Sequence, residues 1–327
     1  MSRPLLLRIV TGLAALGLAA SACTASDPGP APDGGPSTPA LIAVEVASAD
    51  LYAGAPQRFL AGLLAPEGRL VSFGTIEMRF AYTGTVEEPT EPQSGPEATA
   101  AFIPTPGTPD GGAAGPSLTL PSEGRGVYQA EGVTFDRAGI WQVTVSADLS
   151  TGDGGRQTAT ASFFVAGEPA LPAPGQPALR TENLTVDSKD APVGAIDSRA
   201  VEGGKIPDPE LHRWTIADAI AEGRPALVVF ATPTFCISRF CGPVTDAVAG
   251  LAARFSDRAV FIHIEIWRDH DNGVINRAAA DWLLRNGDLV EPWLFLIGAD
   301  GNVADRWGVL FDPDEVAKEL RQLPVMS

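Results

Sequence analysis

Positive charge is scarce in this chain of 327 residues. Lysine and arginine together number 23 against 40 aspartates and glutamates, so the formal net charge is −17. Binding to nucleic acid or to an anionic lipid surface depends on basic side chains that neutralise phosphate groups. The charge balance therefore argues against nucleic acid as a partner, and it predicts no basic patch that could hold the protein at a membrane.

Cysteine and histidine are also rare, with three of each in the chain. Two of the cysteines, Cys236 and Cys241, lie five positions apart in the stretch ATPTFCISRFCGPV, residues 231–244. A close pair in a chain so poor in cysteine points to a disulfide, a redox site or a metal site. The three histidines, His212, His263 and His270, leave little material for metal ligation, and the sequence predicts neither a metal nor a cofactor.

Long apolar runs are missing apart from one near the N-terminus. Residues 1–22 combine a short basic start, an apolar run that ends near Ala20 and small residues, which is typical of a signal peptide. The tetrapeptide Ala20-Ser21-Ala22-Cys23 resembles the bacterial lipobox, although leucine is more usual at the first position. The resemblance implies lipidation of Cys23 and an extracytoplasmic lipoprotein of the cell envelope. Ordinary cleavage near Ala22 is the alternative.

The chain after Cys23 is divided by two stretches rich in proline. Residues 23–40 lack apolar periodicity, so we expect the lipidated cysteine to be followed by a disordered tether. Residues 41–167 consist of short alternating segments that predict an all-β domain. A second proline-rich stretch, residues 168–180, is predicted to be a linker, and residues 181–327 form the third part.

The all-β domain is predicted to be an antiparallel sandwich. In GIWQVTVSADL, residues 139–149, the apolar side chains of Trp141 and Val143 alternate with polar ones, as in a half-buried strand. The segment FDRAGIWQV, residues 135–143, resembles the late-strand corner of bacterial immunoglobulin-like domains. An acidic insertion at residues 83–118 contains no lysine or arginine, and its composition predicts disorder.

The C-terminal part is predicted to alternate helices and strands. From Glu210 the order is helix, strand, cysteine stretch, helix, strand, helix, strand, strand, helix. The apolar run at 226–230 is typical of a central strand that is buried on both faces, and residues 291–307 predict a hairpin. Helix N-caps are predicted at Thr215 and Asp312.

This order, with a cysteine pair between the first strand and the following helix, resembles the thioredoxin superfamily. The resemblance covers about residues 205–323, with residues 181–204 as an extended lead-in. It rests on the strand that ends at Phe230, on Cys241-Gly242-Pro243 at a helix start, and on Glu291-Pro292 before an apolar strand. The implied architecture is an α/β thioredoxin-like C-terminal domain preceded by an all-β immunoglobulin-like sandwich.

The resemblance implies a thiol–disulfide oxidoreductase. In that family the proline of the last motif is a cis-proline beside the active cysteines, and Pro292 matches it. A thiolate attacks a disulfide, and a second cysteine then releases the mixed disulfide. Four residues separate the pair where relatives have two, so two alignments are possible. We expect Cys236 to attack and Cys241 to resolve, and an alignment on Cys-Gly-Pro reverses these roles.

Other polar residues are candidates for a supporting role. Arg239 lies between the cysteines and could stabilise a thiolate, and His263 and Glu265 share one face of a strand and could supply a general base. The buried acid that many relatives carry one residue before the aromatic at the strand end is absent, because Val229 stands there.

Three other interpretations of the pair remain open. It could be a structural disulfide in a binding module that has no enzyme activity. Relatives of the Sco type hold copper with two cysteines and a distant histidine, but three residues separate their cysteines, against four here. A thiol peroxidase of the peroxiredoxin type would have threonine where Pro233 stands.

The partners predicted for an exported oxidoreductase are the thiols or disulfides of exported proteins, an unidentified redox partner, and the membrane through lipid on Cys23.

Overall fold

The computed structural model of the chain describes residues 42–109, 115–150, 155–200 and 204–326. The predicted signal peptide, Cys23 and the tether lie outside these ranges. Residues Ala40–Ser327 cluster as one compact unit. Within it, an N-terminal all-β region is followed by a mixed α/β region.

In the described part of the N-terminal region, hydrogen bonds join nine antiparallel strands into one curled, half-barrel sheet. The strand order is β6-β3-β2-β7-β5-β4-β8-β9, with β1 paired to β2. The strands are β1 (Ala43–Val46), β2 (Pro56–Ala65), β3 (Arg69–Ser72), β4 (Thr75–Gly84), β5 (Pro89–Pro104), β6 (Ser117–Thr119), β7 (Gly126–Thr134), β8 (Gly139–Leu149) and β9 (Gly155–Val165).

The alternation predicted for residues 139–149 is confirmed in β8. Trp141, Val143 and Val145 are buried, whereas the polar side chains between them are partly exposed. The buried residues belong to one hydrophobic core with Phe59 and Phe80. The all-β prediction is therefore confirmed as a single curled sheet in the described residues, and the immunoglobulin-like sandwich stays a prediction.

The prediction of disorder for residues 83–118 is wrong for much of that segment. Residues Pro89–Pro104 form β5, the longest strand of the sheet. Its first half is hydrogen-bonded to β4 alone, and β7 pairs only with the second half, from Ala101 to Pro104. Proline is tolerated where one edge of a strand is free, so the proline-rich composition did not prevent pairing. Residues 110–114 lie outside the described ranges.

The C-terminal region is built on a four-stranded mixed sheet. Its order is β11-β10-β14-β15, in which β10 and β11 are parallel and the other pairs are antiparallel. The elements are α1 (Ile216–Ala221), β10 (Ala226–Ala231), α2 (Cys241–Phe255), β11 (Val260–Glu265), α3 (Arg277–Leu283), β14 (Trp293–Ile297), β15 (Val303–Gly308) and α4 (Pro313–Gln322), with a small hairpin of β12 (Trp267–Asp269) and β13 (Val274–Ile275) between β11 and α3.

Local signals in this region are confirmed. Every residue of β10 is buried, as the continuous apolar run predicts. Thr215 caps α1, since its hydroxyl accepts a hydrogen bond from the Asp218 amide at 2.9 Å. Asp312 caps α4 through the Asp314 amide, also at 2.9 Å. These caps satisfy amides that a helix start otherwise leaves unpaired.

The two regions share a core and are not separated by a free linker. Leu60, Ile103 and Val127 of the large sheet belong to the same buried cluster as residues of α2, β14 and α4. Within the stretch predicted to be a linker, Leu171 is buried, and its amide donates to the Asp50 carboxylate at 3.0 Å. The proline-rich composition therefore marks an irregular segment that packs between the regions.

Candidate redox site at the Cys236–Cys241 pair

The two cysteines form a disulfide at the C-terminal end of β10. The chain leaves β10 after Ala231, runs through an irregular loop that contains Cys236, and enters α2 at Cys241. The Cα atoms of the pair are 6.0 Å apart. Because Cys241 is the first residue of α2, the unpaired amides of the first helical turn and the positive end of the helix dipole lie next to its sulfur.

The two sulfurs differ in their access to solvent. Cys241 is fully buried in the core shared by the two regions, whereas Cys236 is only partly buried. Next to Cys236, the side chain of Ile237 is 98% exposed. Phe235 is also exposed, and its ring stacks on His270 with the ring centres 3.8 Å apart. An incoming thiol therefore meets Cys236 first, at a site flanked by exposed apolar side chains.

Pro292 lies beside the end of β10, as predicted. The Glu291–Pro292 peptide bond is cis. The next residue, Trp293, begins β14 and pairs with Phe230 in the register of the sheet. Trp293 is buried and stacks against Phe295, so its larger side chain is accommodated in the core.

Glu291 is the residue at this site that the sequence analysis missed. One of its carboxylate oxygens lies within 4.8 Å of both sulfurs. Its Oε2 atom is buried without a hydrogen-bond partner. Burial, and then the Glu265 carboxylate, raise the pKa of Glu291 to about 7, against a backbone hydrogen bond from Thr232 that lowers it.

The signal that could have identified Glu291 was its position. An acid immediately before the proline that faces the cysteines is carried to the disulfide by the same turn that carries the proline. The sequence analysis considered the strand end at Val229 as the place for a buried acid, and Val229 is an apolar residue inside β10. The carboxyl group reaches the pair from the segment just before the neighbouring β14 instead.

The structure does not bring the side chain of Arg239 into a described contact with the sulfurs. The side chain is exposed, and the backbone has a left-handed φ of 63°. The Arg239 amide donates to the Cys236 carbonyl oxygen at 3.4 Å, so the residue helps to shape the loop. Its predicted effect on a thiolate remains a prediction.

His263 and Glu265 lie side by side on β11, but their polar atoms are engaged behind the disulfide. His263 Nε2 donates to the Ala231 carbonyl oxygen at 3.1 Å, and Glu265 accepts the Ser198 amide at 2.9 Å. Both residues are buried. Glu265 therefore affects the site through its charge, which raises the pKa of Glu291, and His263 belongs to a second cluster.

That second cluster consists of buried polar residues that the redox site does not use. Asp197 contacts His212, His263 and Arg199. Burial opposes ionisation of Asp197, but its interactions with His212, His263 and Arg199 outweigh burial and hold the pKa of the carboxyl well below its usual value. Burial also lowers the pKa of His212 below its usual value, against the hydrogen bond to Asp197.

Comparisons with known proteins identify no family for this chain. No family model and no curated protein matches it. Among solved structures, the crystal structure of BslA, a bacterial hydrophobin, is similar at 16% identity over 40% of this chain and 97% of that chain, with a TM-score of 0.22. Within the described residues, no helix is both long enough and apolar enough to cross a membrane.

Proposed function

We propose that the protein catalyses thiol–disulfide exchange at the Cys236–Cys241 pair. The observation that carries the proposal is the position of Glu291, a carboxyl with a pKa of about 7 whose oxygen lies within 4.8 Å of both sulfurs. A group with that pKa can accept or donate a proton near neutral pH, as exchange between thiols and disulfides requires. A disulfide that only staples a loop has no use for such a group.

The roles of the two cysteines follow from their exposure. A client thiolate attacks the accessible sulfur of Cys236, the Cys236–Cys241 bond breaks, and Cys241 leaves as a thiolate that takes a proton from Glu291. A second client thiolate then attacks the client sulfur of the mixed disulfide, so that the client disulfide forms and Cys236 leaves reduced. The client loses two electrons and the pair gains them. In the reverse direction, Glu291 takes the proton from the Cys241 thiol.

The proposed fold of the C-terminal region is thioredoxin-like. Support comes from the succession β10, α2, β11, α3, β14, β15, α4 and from the strand order β11-β10-β14-β15. The cysteine pair follows the first of these strands, and a cis-proline precedes β14. The resemblance in sequence predicts the cysteine pair and the proline at these two positions.

The proposed location is extracytoplasmic, with lipid on Cys23 as the membrane anchor and exported proteins as clients. A disulfide persists in oxidising compartments, which supports an exported chain. An unidentified redox partner would reset the pair after each exchange.

Copper binding is the alternative that the same site suggests. The atoms grouped with the two sulfurs include a Glu291 oxygen, and no described histidine belongs to this group. Cu(I) prefers thiolate and imidazole ligands, whereas a carboxylate is a hard ligand. The composition of the group therefore favours proton transfer to and from sulfur over copper binding.

The test is a redox titration of the chain from Thr24 onward, which contains the compact unit and lacks the thiol of Cys23. Free thiols are counted by alkylation and mass shift at each potential. We expect the folded protein to be reduced reversibly at a potential above about −300 mV, as for catalytic pairs. Titration with Cu(I) and Cu(II) under the same conditions tests the alternative.

Single cysteine variants assign the roles. Cys241→Ser should accumulate mixed disulfides through Cys236 with a disulfide-containing client such as oxidised insulin, whereas Cys236→Ser should accumulate few, because Cys241 is buried. A pair that resists reduction until the protein unfolds would show a structural disulfide and would refute the proposal. Stoichiometric copper uptake by the reduced pair, without exchange activity, would favour the alternative.

A further inference from the structure

Three fully buried side chains converge behind the redox site, at Asp197, His212 and His263. The Asp197 Oδ2 atom is 3.3 Å from His212 Nε2 and 3.6 Å from His263 Nδ1. The two imidazole rings are 5.1 Å apart between centres and inclined by 62°. One ligand-type atom from each of the three residues lies within 4.8 Å of the other two.

The hydrogen bonds of His263 determine which of its nitrogens carries a lone pair. Its Nε2 atom contacts the Ala231 carbonyl oxygen, which can only accept, so Nε2 carries the hydrogen. In the neutral ring, Nδ1 then presents a lone pair toward the Asp197 carboxylate, and Nδ1 has no hydrogen-bond partner. A proton on Nδ1 or a metal cation between the two atoms would each relieve their repulsion.

We propose that a divalent transition-metal ion of the zinc type binds at this cluster, with Asp197, His212 and His263 as its ligands. Bonds of about 2.0–2.2 Å from zinc to nitrogen and oxygen place tetrahedral ligand atoms roughly 3.3 Å apart, close to the separations observed here. The bond from His263 Nε2 to the Ala231 carbonyl is the outer contact that fixes the ring of a metal-bound histidine. Imidazole and carboxylate ligands suit Zn²⁺ better than Cu(I).

The surroundings of the cluster are compatible with an added cation. The Asp197 Oδ1 atom accepts hydrogen bonds from the Arg199 amide and Nε. The Oδ2 atom accepts one Arg199 nitrogen at 2.7 Å and is hydrogen-bonded to His212 Nε2 at 3.3 Å, whose hydrogen a bound ion would replace. Arg199 is also paired with Asp208 at 2.8 Å, so its charge is shared with a second carboxylate. His263 also lines a small cleft, together with Ala195, Ile196, Glu265 and Asn276.

The ion would fasten the lead-in segment to the central sheet. Asp197 and His212 lie outside the four-stranded sheet, in the chain that precedes α1, whereas His263 lies within β11. A ligand from each side would hold the segment against the sheet behind the redox site. The inference is independent of the proposed exchange activity, because neither cysteine takes part.

Metal content tests the proposal directly. The chain from Thr24 onward is produced in zinc-supplemented medium, and a second sample is unfolded with chelator and refolded with Zn(II) or Co(II). The disulfide is kept oxidised so that the cysteine sulfurs cannot act as ligands. We expect about one metal ion per chain after gel filtration, and visible Co(II) bands of a site with nitrogen and oxygen ligands.

The three histidines of the chain provide matched variants. His212→Gln and His263→Gln should lose stoichiometric metal, whereas His270→Gln, at an exposed position, and the Cys236→Ser/Cys241→Ser double variant should retain it. If the buried variants fail to fold, the Co(II) spectrum of the unaltered chain decides. The proposal is overturned by absence of metal in both preparations, by metal that both buried variants retain, or by Co(II) bands characteristic of sulfur ligands.

Discussion

At the scale of single residues, the chemistry of the site depends on the interaction between two carboxyl groups, those of Glu291 and Glu265. Glu291 and Glu265 interact through their charges, and burial penalises the ionised form of Glu291. Like charges at short range in a poorly solvated site do not both ionise easily, so Glu291 holds its proton into the neutral range. The proton that Glu291 retains for this reason is available to a leaving thiolate.

Glu291→Gln tests this environment through the dependence of stability on pH. The pKa of the carboxyl is about 7 in the folded chain and 4.5 without the fold. Between these values the folded state binds a proton that the unfolded state releases, so stability falls as pH rises from about 4.5 to about 7 and is level above that range. The free energy of unfolding falls by on the order of 3 kcal/mol at most. Because glutamine cannot ionise, the variant lacks this contribution.

Urea unfolding of the oxidised protein at several pH values between 5 and 8 measures the effect. The variant should show a smaller loss of stability across this range than the unaltered chain. The matched control is Glu87→Gln, which changes an exposed carboxylate in the turn between β4 and β5 and should keep the original profile. Identical profiles for Glu291→Gln and the unaltered chain would contradict the assignment.

At the scale of elements, β5 is the strand whose composition least resembles a strand. Its pairing with β4 shifts register between Glu97 and Ser94, and Gly95 lies at this irregularity. A Cβ atom on Gly95 would come within 2.5 Å of the Trp141 ring and 3.0 Å of the Phe80 carbonyl oxygen. Gly95 therefore allows β5 to pass close over the buried tryptophan of β8.

Gly95→Ala is expected to destabilise the protein by about 1–3 kcal/mol, because the added methyl group overpacks the contact with Trp141. Gly62→Ala in β2 is the control, since the nearest atom to its added Cβ is 4.0 Å away. That control should be neutral or slightly stabilising. The comparison uses urea unfolding monitored by circular dichroism. Equal stabilities for the two variants would mean that residues around Gly95 do not form the described strand.

At the scale of the whole molecule, charged side chains join the curled sheet to the α/β region. Arg58 of β2 donates to both oxygens of Asp305 in β15, at 2.9 and 2.8 Å, and also pairs with Glu315 of α4. Its guanidinium lies 4.7 Å from the centre of the Trp307 ring. A second link joins Arg306 to Asp50 at 2.6 Å. Together with the shared core, these contacts make independent unfolding of the two regions unfavourable.

Arg58→Ala should destabilise the protein by about 1–3 kcal/mol, between the values for exposed and buried pairs, since the side chains of Arg58, Asp305 and Glu315 are 17–23% exposed. The loss arises because two carboxylates are left together without their cation. Arg58→Lys keeps the charge but not the paired geometry, so its stability should lie between that of Arg58→Ala and that of the unaltered chain.

Hydrogen exchange at increasing urea, read by mass spectrometry, measures both regions at once. In the unaltered chain, β7 and β14 should become exchangeable in one cooperative transition. Separate transitions in the unaltered chain would contradict the shared core. An unchanged urea midpoint in Arg58→Ala would show that these ion pairs do not stabilise the protein.

The sequence by itself determined the features that depend on neighbours along the chain. The alternation of Trp141 and Val143 sets a strand with one buried face, the apolar run of β10 sets a strand buried on both, and Thr215 and Asp312 set helix starts through amides three and two residues ahead. The positions of the cysteine pair and Pro292 within the α/β order follow from the same local patterns.

Only the tertiary structure decided the features that depend on residues far apart in sequence. The pairing of β5 overrides its composition because β4 supplies backbone partners along most of its length, and β7 supplies them along its last four residues. The pKa of Glu291 depends on Glu265 across the sheet, and the convergence of Asp197, His212 and His263 depends on how the lead-in segment packs. Burial and electrostatic environment are properties of the assembled core, so short patterns of residues do not specify them.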